Sequence, residues 1–442
     1  MALVSESAIG EVVRKVLADT GVPSASVAVC FEGAVSAWAF GNARWEPVVP
    51  ATPEMRYKIA SNGKQITAAA VLLLAEEGRL SLDAAVACYF PELTRAGEIT
   101  IRQLLAHTSG YQDYYPLDYL TPWMARDTTA DEILNRWARK PLDFEPGTRW
   151  QYSNTNYVIV GEIVARVAGV PLHDFLRERI FGPLGMPSVI NVHRDEWSAE
   201  DPLGYTRHAL GSHRAALPEG NSWMYATGDL AMTARDLTLW NRALMDCMVI
   251  QPGSLREMTT EVLLAGGSGS KYGLGLQIGT TARGSRRWSH GGGASGFVSR
   301  NTIYPDDRVS ITVLTNGEGS AAETIAARIE EMVIGGTADP DAGPALDRAK
   351  KMFAGLQNGE PDRALMNADL SAYFSGEAMA EFAVSLKPLG APESFTADTR
   401  QERGGMTHRS YSVKTATQAL RVSTYVTAEG TFAQFLVTVA AG

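Results

Sequence analysis

A serine and a lysine, three residues apart, open a predicted helix early in the chain. They are Ser61 and Lys64, and their spacing puts both side chains on one helical face. Downstream, apolar residues recur at helical spacing, namely Ile66, Ala69, Ala70, Leu73 and Leu74. Gly78 follows as the predicted C-cap. The first turn of this helix therefore holds a hydroxyl and an amine at the positive end of the helix dipole.

That placement has a chemical meaning, because a serine hydroxyl becomes a strong nucleophile only when a base takes its proton. A free lysine has a pKa near about 10.4, so a lysine base at neutral pH needs a pKa about three units lower. This difference is on the order of 4 kcal/mol, and burial and a helix N-terminus both act in that direction. Ser-x-x-Lys also occurs by chance in many chains, so the pair needs partners elsewhere in the sequence.

Composition excludes several classes of partner. The chain has 442 residues, enough for two or three domains, and its net charge of −9 with no basic run argues against nucleic acid. Three scattered cysteines (Cys30, Cys88 and Cys247) form no Cys-x-x-Cys pair, and no Cys/His cluster has the spacing of a metal site. We therefore expect no metal, no cofactor and no disulfide framework.

The N-terminal residues are not typical of an export signal. Charged residues interrupt any apolar core there, namely Glu6, Glu11, Arg14 and Lys15. Apolar residues instead form one face of an amphipathic helix, and no uninterrupted apolar run is long enough to span a bilayer. The sequence therefore predicts a cytoplasmic protein that has no membrane partner.

Strand and helix patterns predict an α+β fold in which helices pack on an antiparallel sheet. Residues 24–42 alternate apolar and other residues around a Glu-Gly pair, which is typical of a hairpin. Helical patterns dominate the middle of the chain. Strand patterns return later, at 272–278, 286–290, 296–304 and 309–316, and a helix is predicted over 321–334.

A small, Pro- and Gly-rich segment then divides the chain. Beyond it, two helical patterns and four strand patterns are typical of a separate small α+β domain. We assign 1–334 to a first domain, 335–345 to a linker and 346–442 to an accessory domain. The accessory domain has about a hundred residues, which is a usual domain size.

Two further stretches supply partners for Ser61 and Lys64. Tyr152-Ser-Asn154 lies in a predicted turn before a helix, and His290-Gly-Gly-Gly lies on a predicted strand. The ordered set Ser-x-x-Lys, Tyr-x-Asn and His-x-Gly resembles the serine hydrolases that include penicillin-binding proteins and class C type β-lactamases. The His-Gly-Gly pattern resembles the D-aminopeptidase, D-amino-acid amidase and esterase branch best. The resemblance covers roughly residues 5 to 334, and it implies an α/β sandwich with an added all-helical subdomain.

The resemblance also implies roles for the residues of the first two motifs. Ser61 would be the acylated nucleophile, and Lys64 the base or proton relay for it. Tyr152 would act as acid and base toward Ser61 and the leaving group. Asn154 would hydrogen-bond the acyl-side amide of the substrate, and an N-cap for the following helix is its structural alternative.

The third motif would complete the site. His290 stands where most members carry lysine, and it would orient the tyrosine and polarise the site. Gly292 would keep the strand open to the substrate, and the backbone N–H groups of Ser61 and Gly293 would form the oxyanion hole. Because a histidine replaces the lysine, we expect no fixed positive charge for a substrate carboxylate. Efficient β-lactam or carboxypeptidase chemistry is therefore not expected.

Other residues have mainly structural interpretations. His107 is expected to support its loop, and Asp229 to start a helix. Gly63, inside the Ser-x-x-Lys turn, lowers helix propensity by about 1 kcal/mol against alanine. An aromatic-rich loop lines either the core or a cleft, with Tyr111, Tyr114, Tyr115 and Tyr119 as its members.

The leading hypothesis is a serine hydrolase that cleaves small amide, peptide or ester substrates through an acyl-enzyme on Ser61. One alternative is a transacylase, which passes the acyl group to an amine or alcohol. Others are a weak β-lactamase or carboxypeptidase and, more distantly, a non-catalytic sensor of peptide fragments. The accessory domain is a candidate for forming a homodimer or for closing over the cleft.

Overall fold

Strands from both ends of the first compact unit form one seven-stranded sheet. The computed structural model describes residues 5–115, 121–207, 211, 213–281, 283–334, 341–403 and 406–439. The chain divides into two compact units, residues 1–337 and residues 338–442.

The helices of the first unit are α1 (Glu6–Thr20), α2 (Gly63–Glu76), α3 (Ile101–Leu105), α4 (Ala130–Ile133), α5 (Asn154–Ala168), α6 (Leu172–Leu176), α7 (Ala234–Met245), α8 (Pro252–Thr259) and α9 (Ala321–Val333). Its strands are β1 (Ser24–Phe31), β2 (Ala34–Trp45), β3 (Val48–Pro50), β4 (Tyr57–Lys58), β5 (Ile190–Asn191), β6 (Tyr205–Thr206), β7 (Arg214–Ala215), β8 (Leu230–Met232), β9 (Gln277–Thr280), β10 (Arg286–Ala294), β11 (Phe297–Tyr304) and β12 (Val309–Thr315).

The seven strands are antiparallel and follow the order β3-β2-β1-β12-β11-β10-β9. The inner strands β1 and β12 are buried on both faces, which explains their nearly continuous runs of small and apolar residues. Strand β10 pairs with β9 only as far as Ser289. Within the described residues its second half, His290–Ala294, pairs with β11 alone.

Helices cover both faces of the sheet. The apolar sides of α1 and α9 pack on one face. On the other face α7 packs against β1 and β12, in the same apolar cluster as α2 and α5. Helix α2 is apolar almost all round, and eleven of its 14 residues are buried. Burial of this helix carries Lys64 into the interior.

The second unit has its own sheet and core. Its helices are α10 (Ala342–Asn358), α11 (Ala368–Tyr373) and α12 (Gly376–Leu386), and its strands are β13 (Ser394–Arg403), β14 (Met406–Lys414), β15 (Ala419–Val426) and β16 (Phe432–Val439). The strands are antiparallel in sequential order. Residues from the helices and from the sheet share one apolar cluster, which includes Phe353, Phe374, Tyr411 and Phe435.

The predicted α+β class is confirmed, and several local boundaries differ. Ser61 lies in a 3₁₀ turn, Ala60–Asn62, and α2 begins only at Gly63. A Cβ on Gly63 would make only ordinary contacts. Because the first N–H groups of a helix have no intrahelical partner in any case, this glycine does not disturb the turn.

Two predictions of element starts were wrong. The segment after Asp229 is strand β8, and the helix begins at Ala234 with Thr233 as its N-cap. Helix α10 begins at Ala342, inside the predicted linker 335–345. The first six residues of that linker, like Tyr119 of the aromatic loop, lie outside the described residues.

Two features are absent from the described ranges. Within them no helix is both long and apolar enough to cross a bilayer. The same part of the chain contains no group of three or more His, Cys, Asp or Glu side chains that could hold a metal ion.

Candidate active site

The candidate nucleophile lies in a tight turn between β4 and α2. Ser61 is the middle residue of the 3₁₀ turn and is partly exposed. Ala60 before it has a φ of +47°, in the left-handed region that alanine rarely adopts. Gly228 packs directly against this turn, since a Cβ there would lie 2.7 Å from the carbonyl carbon of Ala60. Contact with a distant loop thus holds Ser61 in a turn that the local sequence disfavours.

Lys64 is fully buried just after Ser61. Its Nζ lies 3.0 Å from Ser61 Oγ, 2.8 Å from Asn154 Oδ1 and 2.8 Å from the carbonyl oxygen of Thr227. Burial lowers the pKa of this amine from its usual 10.5 to about 7, although two nearby carboxylates act in the opposite direction. A sizeable fraction of Lys64 is therefore neutral near pH 7.

The three contacts of this amine define what it can do. A neutral amine has two hydrogens and one lone pair. The Asn154 amide oxygen and the Thr227 carbonyl oxygen can only accept, so they take the two hydrogens. The lone pair then faces Ser61 Oγ and can receive the hydroxyl proton. This geometry lets neutral Lys64 act as a general base for Ser61.

Tyr152 lies just before α5, with its hydroxyl close to Ser61. The Nζ of Lys64 lies 5.0 Å from the centre of the Tyr152 ring. The hydroxyl oxygen is buried, and it has no hydrogen-bond partner among the described residues. Burial raises the pKa of Tyr152 above its usual value of 10, while the nearby Ser61 hydroxyl lowers it. The phenol is therefore neutral at ordinary pH and is placed to pass on a proton.

Asn154 is the first residue of α5, and both ends of its amide are in use. Its Oδ1 accepts from Lys64, while its Nδ2 lies 3.2 Å from each carboxylate oxygen of Asp113. The backbone N–H of Asn154 also donates to Asp113, at 2.9 Å. Asp113 therefore satisfies the first N–H of this helix as a capping side chain would. The N-cap function considered for Asn154 is carried out by Asp113.

The glycine-rich strand β10 passes close to the turn that carries Ser61. A Cβ on Gly292 would lie 2.3 Å from the Ile59 carbonyl oxygen and 3.0 Å from the Ser61 backbone nitrogen. Only glycine allows the strand to come this close. A Cβ on Gly293 would meet nothing within 4 Å, so this position faces open space. The arrangement is compatible with the predicted oxyanion hole of the Ser61 and Gly293 N–H groups.

His290 lies on β10 beside the site, and both of its ring nitrogens form hydrogen bonds with other groups. Its Nε2 lies 2.8 Å from Tyr272 Oη, and its Nδ1 lies 2.5 Å from the Gly291 carbonyl oxygen. Since a carbonyl only accepts, Nδ1 carries the proton and Nε2 accepts from the tyrosine. Burial lowers the pKa of His290 to about 3, and the charge of Lys64 acts in the same direction. His290 is therefore a neutral side chain.

The first unit matches a known protein family. A family model described as Beta-lactamase matches residues 9–333. The chain belongs to the beta-lactamase family. A D-aminopeptidase from Brucella canis is 29% identical over 310 residues, which cover 68% of this chain and 58% of the aminopeptidase. The match thus spans less than two thirds of that relative's own length.

Solved structures agree with this beta-lactamase family assignment. The D-amino acid amidase from Ochrobactrum anthropi SV3 has a TM-score of 0.65 and 27% identity, over 74% of this chain and 97% of the amidase. An octameric penicillin-binding protein homologue from Pyrococcus abyssi has a TM-score of 0.67 over 99% of this chain and 97% of the homologue. Its identity is 20%, so this second similarity shows the fold alone.

The structure brings most of the predicted residues of this beta-lactamase-family site together. Lys64 and Asn154 are in hydrogen-bond contact, Lys64 reaches Ser61, and Tyr152 stands beside both. His290 is adjacent, with its ring centre 6.2 Å from that of Tyr152. Its hydrogen bonds go to Tyr272 and the neighbouring backbone, so no direct bond supports the predicted orienting of Tyr152.

Sequence reasoning missed several groups that act on Lys64. Thr227 contributes only a backbone oxygen, for which no residue type is a signal. Asp113 is a carboxylate within the aromatic-rich loop, and a charged residue among large apolar neighbours was the available signal. Asp229 is buried and accepts from Asn191 Nδ2 at 2.8 Å. Burial raises the pKa of Asp229 to about 6.

His107 has the structural role that was expected, because it contacts the turn that carries Tyr152. Its Nδ1 accepts from the backbone N–H of Ser153 at 3.2 Å, and its ring centre lies 4.3 Å from that of Tyr152. Burial lowers the pKa of His107 well below 6.5. A neutral ring therefore fixes the turn that carries Tyr152.

A second lysine near Ser61 in the sequence forms an ion pair with a buried carboxylate. Lys58, on β4, contacts Glu219 at 3.3 Å, and the Glu219 side chain is fully buried. The same carboxylate accepts from Tyr115 Oη at 2.8 Å and from the Ser295 backbone N–H at 2.9 Å. Burial alone would raise the pKa of Glu219, but the charge of Lys58 and these hydrogen bonds lower it to about 2. Glu219 thus ties the nucleophile strand to the turn after β10.

Proposed function

We propose that the protein is a serine hydrolase that cleaves small amides, peptides or esters through an acyl-enzyme on Ser61. The observation that carries this proposal is the buried amine of Lys64, which two fixed acceptors direct at Ser61 Oγ across 3.0 Å. A hydroxyl in contact with a base is what nucleophilic acyl transfer requires. The similarity to a D-aminopeptidase and a D-amino acid amidase supports amides of D-amino acids as the substrate class.

Acylation begins with a proton transfer. Lys64 Nζ takes the hydroxyl proton while Ser61 Oγ attacks the substrate carbonyl carbon. The negative charge that develops on the carbonyl oxygen is bound by the N–H groups of Ser61 and Gly293, and one such donor is worth roughly 2.7–4 kcal/mol. The proton then passes through the Tyr152 hydroxyl to the leaving nitrogen or oxygen. That bond breaks, and Ser61 holds the acyl group as an ester.

Deacylation reverses the proton path with water in place of the leaving group. Water attacks the ester carbonyl, and its proton moves through Tyr152 to Lys64. Lys64 returns a proton to Ser61 Oγ as the ester bond breaks. The acid product leaves, and the neutral amine and the serine hydroxyl are restored.

The charge of the site limits its substrates. His290 is neutral and fully bonded, so this position offers no cation to a substrate carboxylate. We therefore expect amides and esters to be better substrates than β-lactams or peptides that end in a free carboxylate. In this proposal Gly292, through its missing side chain, and Asn154 form the acyl-side binding surface. Asn154 Nδ2 has two hydrogens, so it can donate one to the substrate while the other stays with Asp113.

Covalent labelling tests the nucleophile. A fluorophosphonate probe should add one label to the wild-type protein and none to Ser61→Ala, as read by intact mass. Ser81→Ala, which changes an exposed serine shortly after α2, is the matched control and should label like wild type. Absence of labelling in the folded wild-type protein would contradict the proposal.

A substrate panel then tests the substrate class. The panel contains p-nitroanilides of D- and L-amino acids, short acyl esters and a chromogenic cephalosporin. We expect turnover of D-amino-acid anilides and esters and little turnover of the cephalosporin. Products that appear only when an amine or alcohol acceptor is added would instead identify a transacylase.

We also propose that the protein works in the cytoplasm and that residues 346–442 act as an accessory, dimer-forming domain. The three cysteines remain unpaired, which is usual in a reducing compartment. Light scattering on the full chain and on a chain ending at Gly335 tests dimer formation. A full-length monomer, or a truncated chain that is still a dimer, would contradict the role given to this domain.

A further inference from the structure

The carboxylate of Asp113 is nearly enclosed at the start of α5, and its side chain does not contact the reacting groups directly. Its oxygens accept from the Asn154 backbone N–H at 2.9 Å and lie 3.2 Å from Asn154 Nδ2. A further bond comes from the backbone N–H of Tyr115, also at 3.2 Å. These partners are all donors, as an ionised carboxylate requires.

The consequence for Asn154 follows from the two unlike ends of its amide. An amide side chain can present either its oxygen or its NH₂ group in a given direction. Because Asp113 can only accept, it selects the orientation in which Nδ2 points toward it. The opposite end, Oδ1, then faces Lys64 Nζ at 2.8 Å. A flipped amide would present NH₂ to the amine and remove one of its two fixed acceptors.

We propose that Asp113 is a positioning residue, which fixes the Asn154 amide so that the lone pair of Lys64 faces Ser61. This inference rests on the proposed function and adds a fourth group to the Ser61–Lys64–Asn154 chain. Asp113 touches neither Ser61 nor substrate in this scheme. It acts only through the direction of one amide.

A second carboxylate provides a matched control. Asp229 is also buried near Lys64, and its charge acts on the amine in the same direction as that of Asp113. Its side chain accepts a hydrogen bond from Asn191 Nδ2 and has none to Asn154 among the described contacts. Removing the charge of Asp229 therefore changes the electrostatics of Lys64 without releasing the Asn154 amide.

The experiment compares Asp113→Ala and Asp229→Ala, which remove each carboxylate completely, by their pH profiles of kcat/KM on the best substrate of the wild-type protein. The titratable groups facing Lys64 from the described elements are Asp113, Asp229, His107, His290, Tyr152 and Tyr157. Both substitutions remove a negative charge near the amine, so both should move the acid limb to lower pH. Only Asp113→Ala should also lower the high-pH plateau, by about 10- to 100-fold, because it removes the acceptor of Asn154 Nδ2. The plateau of Asp229→Ala should stay within about twofold of wild type.

A double variant tests the hydrogen-bond direction itself. In Asp113→Asn/Asn154→Asp, residue 113 can donate its NH₂ to the new carboxylate, and that carboxylate can accept from Lys64. Asn154→Asp alone is the reference for this double variant, because both lack the Asn154 Nδ2 donor and both place a carboxylate on Lys64. In Asn154→Asp two carboxylates face each other, so the double variant should have the higher plateau of the two. Its acid limb should move to higher pH, because a negative charge now contacts the amine. Since it rebuilds the contact at the start of α5, it decides the question even where Asp113→Ala is too unstable to assay.

Three outcomes separate this inference from the proposed function. A plateau for Asp113→Ala equal to that of Asp229→Ala would overturn the positioning role while leaving the hydrolase intact. A double variant that is folded but no more active than Asn154→Asp would do the same. Failure of wild type to be labelled at Ser61 would remove the proposed function, and with it the reaction that Asp113 serves.

Discussion

Two lysines flank Ser61, three residues before it and three residues after it, and they occupy opposite electrostatic environments. Lys58 contacts the buried carboxylate of Glu219. Among the described residues, the oxygens within hydrogen-bond distance of Lys64 Nζ are neutral and belong to Ser61, Asn154 and Thr227. Lys58 is partly exposed and completes an ion pair, whereas Lys64 is fully buried and is the proposed base. The two lysines therefore differ both in burial and in the partner at hydrogen-bond distance.

The difference has an energetic basis. Burying a charge is costly unless an opposite charge and further hydrogen bonds compensate. Glu219 has a cation and two further donors, so both members of its pair remain charged. No carboxylate of the described ranges contacts Lys64, and burial therefore favours its neutral form. The same cost that would destabilise an unpaired cation would supply the base that we propose for Ser61.

The largest expected effect comes from replacing the two lysines separately. Lys64→Met should lower kcat/KM by about 10²–10⁴-fold, the usual contribution of a general base, and the protein should remain folded. Lys58→Met should lower the free energy of unfolding by about 3–5 kcal/mol, because it leaves a buried carboxylate unpaired. Activity assays and urea unfolding on both variants check this contrast. Equal losses of activity per folded molecule in the two variants would contradict the distinction between the two lysines.

Removing the other member of the ion pair should give the next largest effect. In the folded protein the pKa of Glu219 is about 2, below its usual 4.5. Its stabilising contribution is therefore present above pH 4.5 and is lost as pH falls through 2. Glu219→Gln should lower the free energy of unfolding by about 3 kcal/mol at pH 7. The difference from wild type should shrink below pH 4.5, and a pH-independent loss would show that the charge is not responsible.

The pH dependence of activity tests the other lysine. The pKa of Lys64 is about 7, and only its neutral form accepts the serine proton. The kcat/KM should therefore rise with pH through an acid limb near 7, and it should fall about tenfold per unit below that limb. His290, with a pKa of about 3, contributes no limb in this range. An acid limb that disappears in His290→Gln would assign the base to the imidazole.

The smallest expected effect concerns one donor to the ion pair. Tyr115→Phe removes the hydroxyl that donates to Glu219 at 2.8 Å. A hydrogen bond to a charged group is worth about 1.5 kcal/mol or slightly more, so the free energy of unfolding should fall by that amount at pH 7. The acid limb of kcat/KM should not move, because this hydroxyl does not contact Lys64. Urea unfolding and a pH profile give both readings from one preparation.

The predictable part of the fold followed from local pattern. The helix with apolar residues from Ile66 onward, the N-terminal hairpin and the returning strands each carry their own periodicity. The first residues of helices and strands were harder to predict, because they depend on capping and pairing contacts. A strand forms at Leu230 because Ala231 pairs with Lys58 and Ile190 across the chain, and local sequence carries no record of that pairing.

The site divides in a similar way. Ser61, Lys64, Tyr152 and Asn154 could be singled out because their residue types and order are specific to this chemistry. Asp113 stood out only as a carboxylate within the aromatic-rich loop, and its role depends on meeting an amide 41 residues further along the chain. His290 could be placed at the site, but its bond to Tyr272 joins two strands and was not visible in the motif.

The sequence by itself determined the fold class, the family and the chemical groups that meet at Ser61, because periodicity and residue type are local properties. Only the tertiary structure decided the charge of Lys64 and the hydrogen-bond partners of His290. The acceptors of the Lys64 amine come from residues 90 and 163 positions away. Burial and hydrogen bonding shift a pKa only after such distant segments have packed together, so the activity of this lysine is a property of the folded chain.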